Sequence, residues 1–211
     1  MDPLLAVFGI LAAITVGAIS PGPSFVLVAR VAVARSRREG PAAAAGMGAG
    51  GVILGGLALL GLQALLAQAG WLYAGLKVLG GLYLLYLGLM IWRGAAEPIR
   101  MAAGAGPGAM DGRAGAFLLA LTTQVSNPKA IAVYGSIFAA MLPDEVPLWA
   151  LAALPPGLFV IEAGWYAIVA CAFSAERPRS SYLRGKLWMD RLATTIMGVL
   201  GLRLLGEAVR A

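Results

Sequence analysis

The sequence predicts an all-α membrane protein of six transmembrane helices, in which the first and fourth helices are broken. Of its 211 residues, 60% are hydrophobic and 12% are charged, whereas a soluble domain is about half apolar and a quarter charged. Apolar runs of roughly 20 residues, the length that crosses a bilayer, recur along the chain. Two of these runs are interrupted by proline beside polar residues.

Six apolar runs are long enough to be transmembrane spans. The predicted spans are Leu4–Ala34, Pro41–Leu66, Trp71–Trp92, Ala116–Leu142, Pro147–Phe173 and Leu192–Val209. The first lacks the basic start of a secretory signal and is longer than one, so we expect it to remain in the mature protein. The whole chain, 1–211, is interpreted as a single transmembrane domain. A short interfacial helix is expected at Glu176–Arg191, before the last span.

Basic residues alternate between successive linkers and indicate the orientation of the helices. Linkers one, three and five contain arginine, whereas linkers two and four contain neither lysine nor arginine. Basic linkers stay in the cytoplasm, so we predict that both termini lie outside. Arg203 and Arg210 do not fit this orientation, because it places these two basic residues toward the outside. The net charge of +6 is read as a topology signal and not as a nucleic-acid surface.

The third linker, at about residues 94–115, divides the chain into two halves of three helices. An odd number of spans in each half gives the halves, at about 1–93 and 116–211, opposite orientations in the membrane. Four residues of the third helix recur in the sixth at one constant spacing: Gly80, Leu82, Leu84 and Gly88 match Gly198, Leu200, Leu202 and Gly206. The pattern therefore predicts an inverted repeat.

The two broken spans carry the predicted binding site. The first is interrupted by Ser20-Pro21-Gly22-Pro23 and the fourth by Ser126-Asn127-Pro128-Lys129. Proline cannot continue a helical hydrogen-bond ladder, and backbone groups freed inside a membrane must face protein or a water-filled cavity. Broken spans in corresponding halves are typical of the substrate site of a transporter.

Each break also has the sequence of a new helix start. Ser20 before Pro21, like Asn127 before Pro128, places an N-cap residue ahead of a proline at the first helical position. The free N–H groups and the positive dipole end of such a helix attract an anion. We therefore predict a substrate site for a carboxylate, formed by Ser20, Pro21, Gly22, Pro23 and Ser24 with Asn127, Pro128 and Lys129.

Lys129 in the fourth span and Glu162 in the fifth are charged residues at positions where a functional role is expected. The positive charge of Lys129 lies at the positive dipole end of its helix, so an acidic residue or a bound anion should compensate for that charge. The alternative is that the side chain extends to the cytoplasmic interface. Glu162 is the one acidic residue deep in a predicted span. Ionisable residues there are functional candidates by default, so Glu162 is predicted to carry a coupling proton or to bind a substrate ammonium. The structural alternative is an ion pair with Lys77 or Lys129.

Several further polar residues could line the site or a pathway to it. They are Gln63, Thr122, Thr123, Gln124 and Ser126, with the tyrosines Tyr83, Tyr86 and Tyr134. An interhelical hydrogen bond is the more expected role of each amide and hydroxyl group in the first set, and packing or a place in the interfacial aromatic belt is the more expected role of the tyrosines.

Four segments match a known family and together extend over nearly the whole chain. They are GAISPGPSFVLV, the Gly-rich second helix, LKVLGGLYLLYLGLMIWR and VSNPKAIAVYGSIF. In these features the chain resembles the LysE/RhtB family of bacterial amino-acid exporters. The resemblance implies six helices in a bacterial plasma membrane and efflux of amino acids or their derivatives, driven by the proton gradient. It covers the motif residues Pro21, Gly22, Pro23, Asn127, Pro128 and Lys129, whereas the role of Glu162 is inferred from its position alone.

The sequence thus favours a secondary exporter of amino acids that works by proton antiport. With one deep acid, Glu162, a neutral or zwitterionic substrate is expected instead of a dibasic one. The alternatives are a membrane scaffold or assembly subunit, and a passive channel that needs no proton gradient. No enzyme activity, cofactor or metal site is predicted, because the chain has no histidine and the single cysteine Cys171. The expected partners are the substrate, protons and the lipid bilayer, with a homo-oligomer left open.

Overall fold

The structure is a computed structural model that describes residues 2–34, 39–68, 70–94, 112–143, 146–174 and 176–209. Over these residues the chain forms helices and no strands. The helices are α1 Pro3–Ile19, α2 Pro23–Ala34, α3 Glu39–Gln68, α4 Gly70–Gly94, α5 Gly112–Ser126, α6 Pro128–Met141, α7 Leu148–Phe173 and α8 Glu176–Val209. The predicted linker segments 35–38, 95–111 and 144–145, and Arg210, lie outside the described residues.

Two of the described helices are long and apolar enough to cross a membrane. These are α3, over Glu39–Leu62, and α7. The helices α1 and α2 make a third span if they are counted together, with a bend of 59° at the break between them. The apolar stretches Val78–Arg93 and Pro128–Met141 are shorter. The protein is therefore an all-helical membrane protein with two or three clear spans.

The predicted spans coincide with helices, and both predicted breaks are confirmed. The first apolar run forms α1 and α2, and the fourth forms α5 and α6. The prediction at the C-terminal end is wrong, because Glu176–Arg191 is not a separate helix and continues into the last span as α8. The reason is that Pro178 lies in the first turn of α8, where proline is tolerated, and no proline follows it.

The helices pack around two buried clusters. One includes Ile14, Val133 and Tyr134, and the other includes Phe25 and Tyr166. In lipid, close packing and interhelical hydrogen bonds hold helices together, since lipid tails are as apolar as the side chains. All five of these residues line one pocket, so the two clusters meet where the helices are broken.

Glycine allows the backbones of α4 and α8 to touch where they cross. A Cβ added at Gly81 would lie 2.8 Å from the carbonyl oxygen of Gly201, and one added at Gly201 would lie 2.8 Å from that of Gly81. Leu205 flanks the first glycine and Leu85 the second, each with its Cγ 3.0 Å from the added Cβ. Small residues at such crossings let two helices approach closely.

We predict that Gly81→Ala and Gly201→Ala each destabilise the protein by about 1–3 kcal/mol, because over-packing forces the helices apart. The measurement is the thermal unfolding midpoint of the purified protein in detergent. Gly198→Ala is the matched control in α8, since nothing lies within 4 Å of its added Cβ. A midpoint unchanged in both crossing variants would contradict the close contact of the two backbones.

Candidate functional site

A pocket lies between the two helix breaks and the middle of α7. Its polar lining is Ser20, Gly22, Ser24, Gln124, Asn127, Lys129 and Glu162, and its aromatic walls are Phe25, Tyr134 and Tyr166. Every predicted site residue therefore lines the pocket except the prolines Pro21, Pro23 and Pro128, which form the breaks. The cavity volume is about 30 Å³, which is room for two or three waters, since one water needs about 10–15 Å³.

The first break differs from the prediction. α1 ends at Ile19, and Ser20 is its C-cap, with its N–H donating to the carbonyl of Val16 at 3.3 Å. The Gly22 carbonyl accepts the first helical bond of α2, from the N–H of Val26 at 2.9 Å. The prediction that Ser20 caps the second half-helix, with Pro21 at its first position, is therefore wrong. Pro23 disfavours helical geometry at the residue before it, so the helix starts at Pro23 itself.

The second break has the predicted cap. Asn127 is the N-cap of α6, and its Oδ1 accepts a hydrogen bond from the N–H of Lys129 at 3.0 Å, with Pro128 at the first helical position. The side chain of Asn127 thus satisfies a backbone donor of its own helix. In α2 the same position is Gly22, which has no side chain to do so. The start of α2 therefore has no capping side chain of its own.

Buried hydrogen bonds join the two breaks directly. Ser24 Oγ donates to Gln124 Oε1 at 2.6 Å and accepts from Asn127 Nδ2 at 2.8 Å. All three side chains are buried. The interhelical hydrogen bond expected for Gln124 is confirmed, and the residue also forms part of the pocket wall. The same expectation is wrong for Thr122 and Ser126, whose exposed hydroxyl groups donate to backbone carbonyls within α5. These bonds fix the starts of α2 and α6 relative to the end of α5.

Lys129 reaches the first break and not the cytoplasmic interface. Its Nζ donates to the carbonyl of Ser20 at 2.8 Å. This carbonyl belongs to the C-terminal end of α1, so the negative end of that helix dipole offsets the charge that opposes the dipole of α6. Asp190 of α8 and Glu162 of α7 are both close enough to interact electrostatically with the Lys129 ammonium.

Glu162 lies in the pocket wall with one carboxyl oxygen bonded and the other open. The side chain is 2% exposed. The Tyr134 hydroxyl donates to Oε1 at 2.9 Å, whereas Oε2 is buried with no hydrogen-bond partner among the described residues. The ammonium of Lys129 is bonded to Ser20 instead, and the Lys77 side chain lies outside the described residues. Because buried polar atoms seldom lack a partner, Oε2 marks a place for a proton or an N–H donor.

Sequence reasoning missed part of the site. Tyr166 follows Glu162 by four residues and so shares its face of α7, a spacing that could have indicated it. Asp190 falls in the basic fifth linker by sequence, yet it is 3% exposed and lies near Lys129. Among the described residues, Asp190 is therefore a second buried acid in addition to Glu162. Nothing in the sequence around Asp190 indicates that it is buried.

Ser24→Ala should destabilise the protein by about 1–3 kcal/mol, because the amides of Gln124 and Asn127 then lose a buried partner. Ser126→Ala is the matched control beside the same break, since its exposed hydroxyl donates to the carbonyl of Thr122 within its own helix. The thermal unfolding midpoints of both variants are compared in one detergent. Equal midpoints for the two would contradict the structural role of the Ser24 hydrogen bonds.

An all-helical membrane protein in which two broken helices meet at a buried polar pocket has the architecture of a membrane translocator. The model of the family described as LysE type translocator matches residues 15–208, so the chain belongs to this family. The resemblance found in the sequence is thereby confirmed.

Named relatives cover most of the chain. The threonine efflux protein of Escherichia coli (strain K12) is 34% identical over 193 residues, which are 90% of this chain and 92% of the relative. The threonine efflux protein of Salmonella typhi is 36% identical over 197 residues, with the same shares. A leucine efflux protein of Klebsiella pneumoniae is 31% identical over 142 residues, or 64% of this chain and 65% of that protein. No solved structure matches the chain.

Proposed function

We propose that this protein is a secondary active exporter of amino acids or amino-acid derivatives across a bacterial plasma membrane. The observation that carries the proposal is the buried pocket in which two helix breaks, the Lys129 ammonium and the open oxygen of Glu162 come together. The relatives named threonine and leucine efflux proteins support an amino acid as the transported solute.

The pocket offers partners to both charged ends of a zwitterion. We assign the substrate carboxylate to the Lys129 ammonium and the start of α2, where Gly22 provides no capping side chain. Ser20 supports this position, because its buried Oγ lines the pocket and has no hydrogen-bond partner among the described residues. We assign the substrate ammonium to Glu162 Oε2. One cationic and one anionic side chain line the pocket, which suits a neutral amino acid better than a dibasic one.

Competition at Glu162 gives proton antiport. With Oε1 bonded to Tyr134, the carboxyl group has one open oxygen, which takes either a proton or the substrate ammonium. Protonation from the outer side releases the amino acid, and loss of that proton to the cytoplasm restores the site. The cavity of about 30 Å³ is too small for an amino acid, so we propose that the helices around the breaks separate to admit one.

We further propose that the chain folds as six spans in two inverted halves, at about 1–93 and 116–211, joined by a linker at about 94–115. The reciprocal contact of Gly81 and Gly201 supports this, because it joins the third and sixth spans in the same way from each side. The two glycines are not a matched pair of the sequence repeat, in which Gly80 corresponds to Gly198. α3 and α7, the middle helices of the two halves, also pack against each other. From the basic linkers we infer that both termini lie outside.

This orientation predicts which sites an impermeant thiol reagent reaches in intact cells. In a Cys171→Ala background, Asp2→Cys should be labelled from outside, whereas Arg38→Cys should be labelled only after the membrane is opened. Mass spectrometry of the purified protein measures the labelling. Labelling of Arg38→Cys alone in intact cells would reverse the proposed orientation.

Transport is tested by uptake of labelled threonine, leucine and lysine into inside-out vesicles. With an acidic lumen, we expect uptake of the neutral amino acids, and we expect it to stop when the pH gradient is dissipated. Uptake at the same rate with and without the pH gradient would indicate a passive channel. Folded protein that takes up no amino acid would favour a scaffold role or another solute.

In the same vesicles, Asn127→Ala and Glu162→Gln should abolish uptake at normal expression. The first variant loses the cap of α6 and a bond to Ser24, and the second cannot exchange a proton. Ser126→Ala is the control beside the break and should transport as the unchanged protein does. Normal uptake rates in both site variants would refute the assignment of these residues.

A further inference from the structure

Tyr134 makes the only hydrogen bond that Glu162 has among the described residues. Its hydroxyl donates to Oε1 at 2.9 Å, and the tyrosine itself is 2% exposed. The ring stacks on Phe138 of the same helix, with centroids 6.3 Å apart and an interplanar angle of 15°. The phenol is therefore held in place by packing that does not depend on the hydroxyl group.

Gly51 of α3 closes over this pair. A Cβ at that position would lie 2.6 Å from the Tyr134 hydroxyl oxygen and 2.9 Å from Cγ of Glu162. Real Cβ atoms do not approach other atoms that closely, so a larger residue would push the tyrosine and the carboxyl group apart. Glycine at this point on α3 leaves the hydrogen bond intact.

We propose that Tyr134 and Gly51 are positioning residues that leave Glu162 with a single open oxygen. The inference rests on the proposed function, since it explains why Glu162 binds either a proton or the substrate ammonium but not both. A carboxyl group with both oxygens open can hold a proton on one and accept an N–H on the other. The bond from Tyr134 uses one acceptor site of Oε1, and Oε2 is the oxygen without a partner among the described residues, so the proton and the substrate ammonium compete for Oε2.

The neighbourhood of Glu162 contains no second candidate for this role among the described residues. The other titratable side chains that line the pocket are Lys129 and Tyr166. Lys129 donates to the Ser20 carbonyl. Tyr166 lies one turn along α7 from Glu162 and contributes to the aromatic wall.

Tyr134→Phe removes the hydroxyl group and retains the stacked ring. We expect its threonine uptake to persist with a raised KM and to depend less on the pH gradient, because Glu162 then has two open oxygens. Tyr83→Phe is the matched control, since that hydroxyl contacts the carbonyl of Pro128 at 3.4 Å, away from Glu162. Normal KM and normal gradient dependence in Tyr134→Phe would overturn the proposal.

A double-mutant cycle separates positioning from a general effect on the fold. Binding of labelled threonine to the purified protein is measured for Tyr134→Phe, Glu162→Gln and the double variant. We expect about a tenfold loss of affinity from Tyr134→Phe alone, the size expected for one hydrogen bond to a charged group. We expect no further loss in the Glu162→Gln background. Additive losses would show that Tyr134 does not act through Glu162.

The glycine gives an independent test should Tyr134→Phe fold poorly. Gly51→Ala should impair gradient-dependent uptake, whereas Gly56→Ala on the same helix should not, because nothing lies within 4 Å of its added Cβ. Equal uptake in the two variants would remove Gly51 from the proposal. If the unchanged protein moves no amino acid, the proposed function fails. If the unchanged protein transports an amino acid, and Glu162→Gln impairs transport while Tyr134→Phe and Gly51→Ala do not, only the positioning inference fails.

Discussion

The structure depends on one constraint, which is that backbone groups freed at a helix break inside a membrane must find partners in the protein. Lys129 supplies a donor to the Ser20 carbonyl at the end of α1, and Asn127 accepts from the first free N–H of α6. Both residues belong to the second break, and the Lys129 side chain bonds a backbone carbonyl of the first break. The two breaks are therefore assembled together, with Ser24 and Gln124 adding bonds between them.

This arrangement decides which charges are left for a ligand. The dipole of α6 disfavours a cation in its first turn, and the C-terminal end of α1 compensates for this cost. Lys129 therefore lies in the pocket with no hydrogen-bonded acid among the described residues. Glu162 accepts a bond from a neutral hydroxyl group and has no hydrogen-bonded cation in the part of the chain that the structure describes. The pocket thus presents one cation and one anion separately.

The sequence predicts the broken helices well and the contacts of the site less well. Proline near the middle of an apolar run is a local signal, so both breaks were predictable at Ser20-Pro21-Gly22-Pro23 and at Asn127-Pro128. The residue that precedes α2 was not predictable, because Pro21 and Pro23 can each occupy the first position of a helix. The partner of Lys129 lies 109 residues away, and that of Glu162 lies 28 residues away on another helix. Such pairs follow from how helices pack, which a single sequence does not reveal.

The way Lys129 is bonded also indicates how binding and closure are linked. An ammonium has three N–H donors, and the Ser20 carbonyl accepts one of them. A carboxylate can therefore bind Lys129 without displacing Ser20, and in the proposed pose the amino acid contacts both breaks and α7 at once. A ligand shifts a conformational equilibrium by its difference in affinity for the two states. In the proposed cycle these contacts form together only when the breaks close around the amino acid, so substrate binding favours that closed arrangement, and transfer of a proton to Glu162 removes one of the contacts that hold it closed.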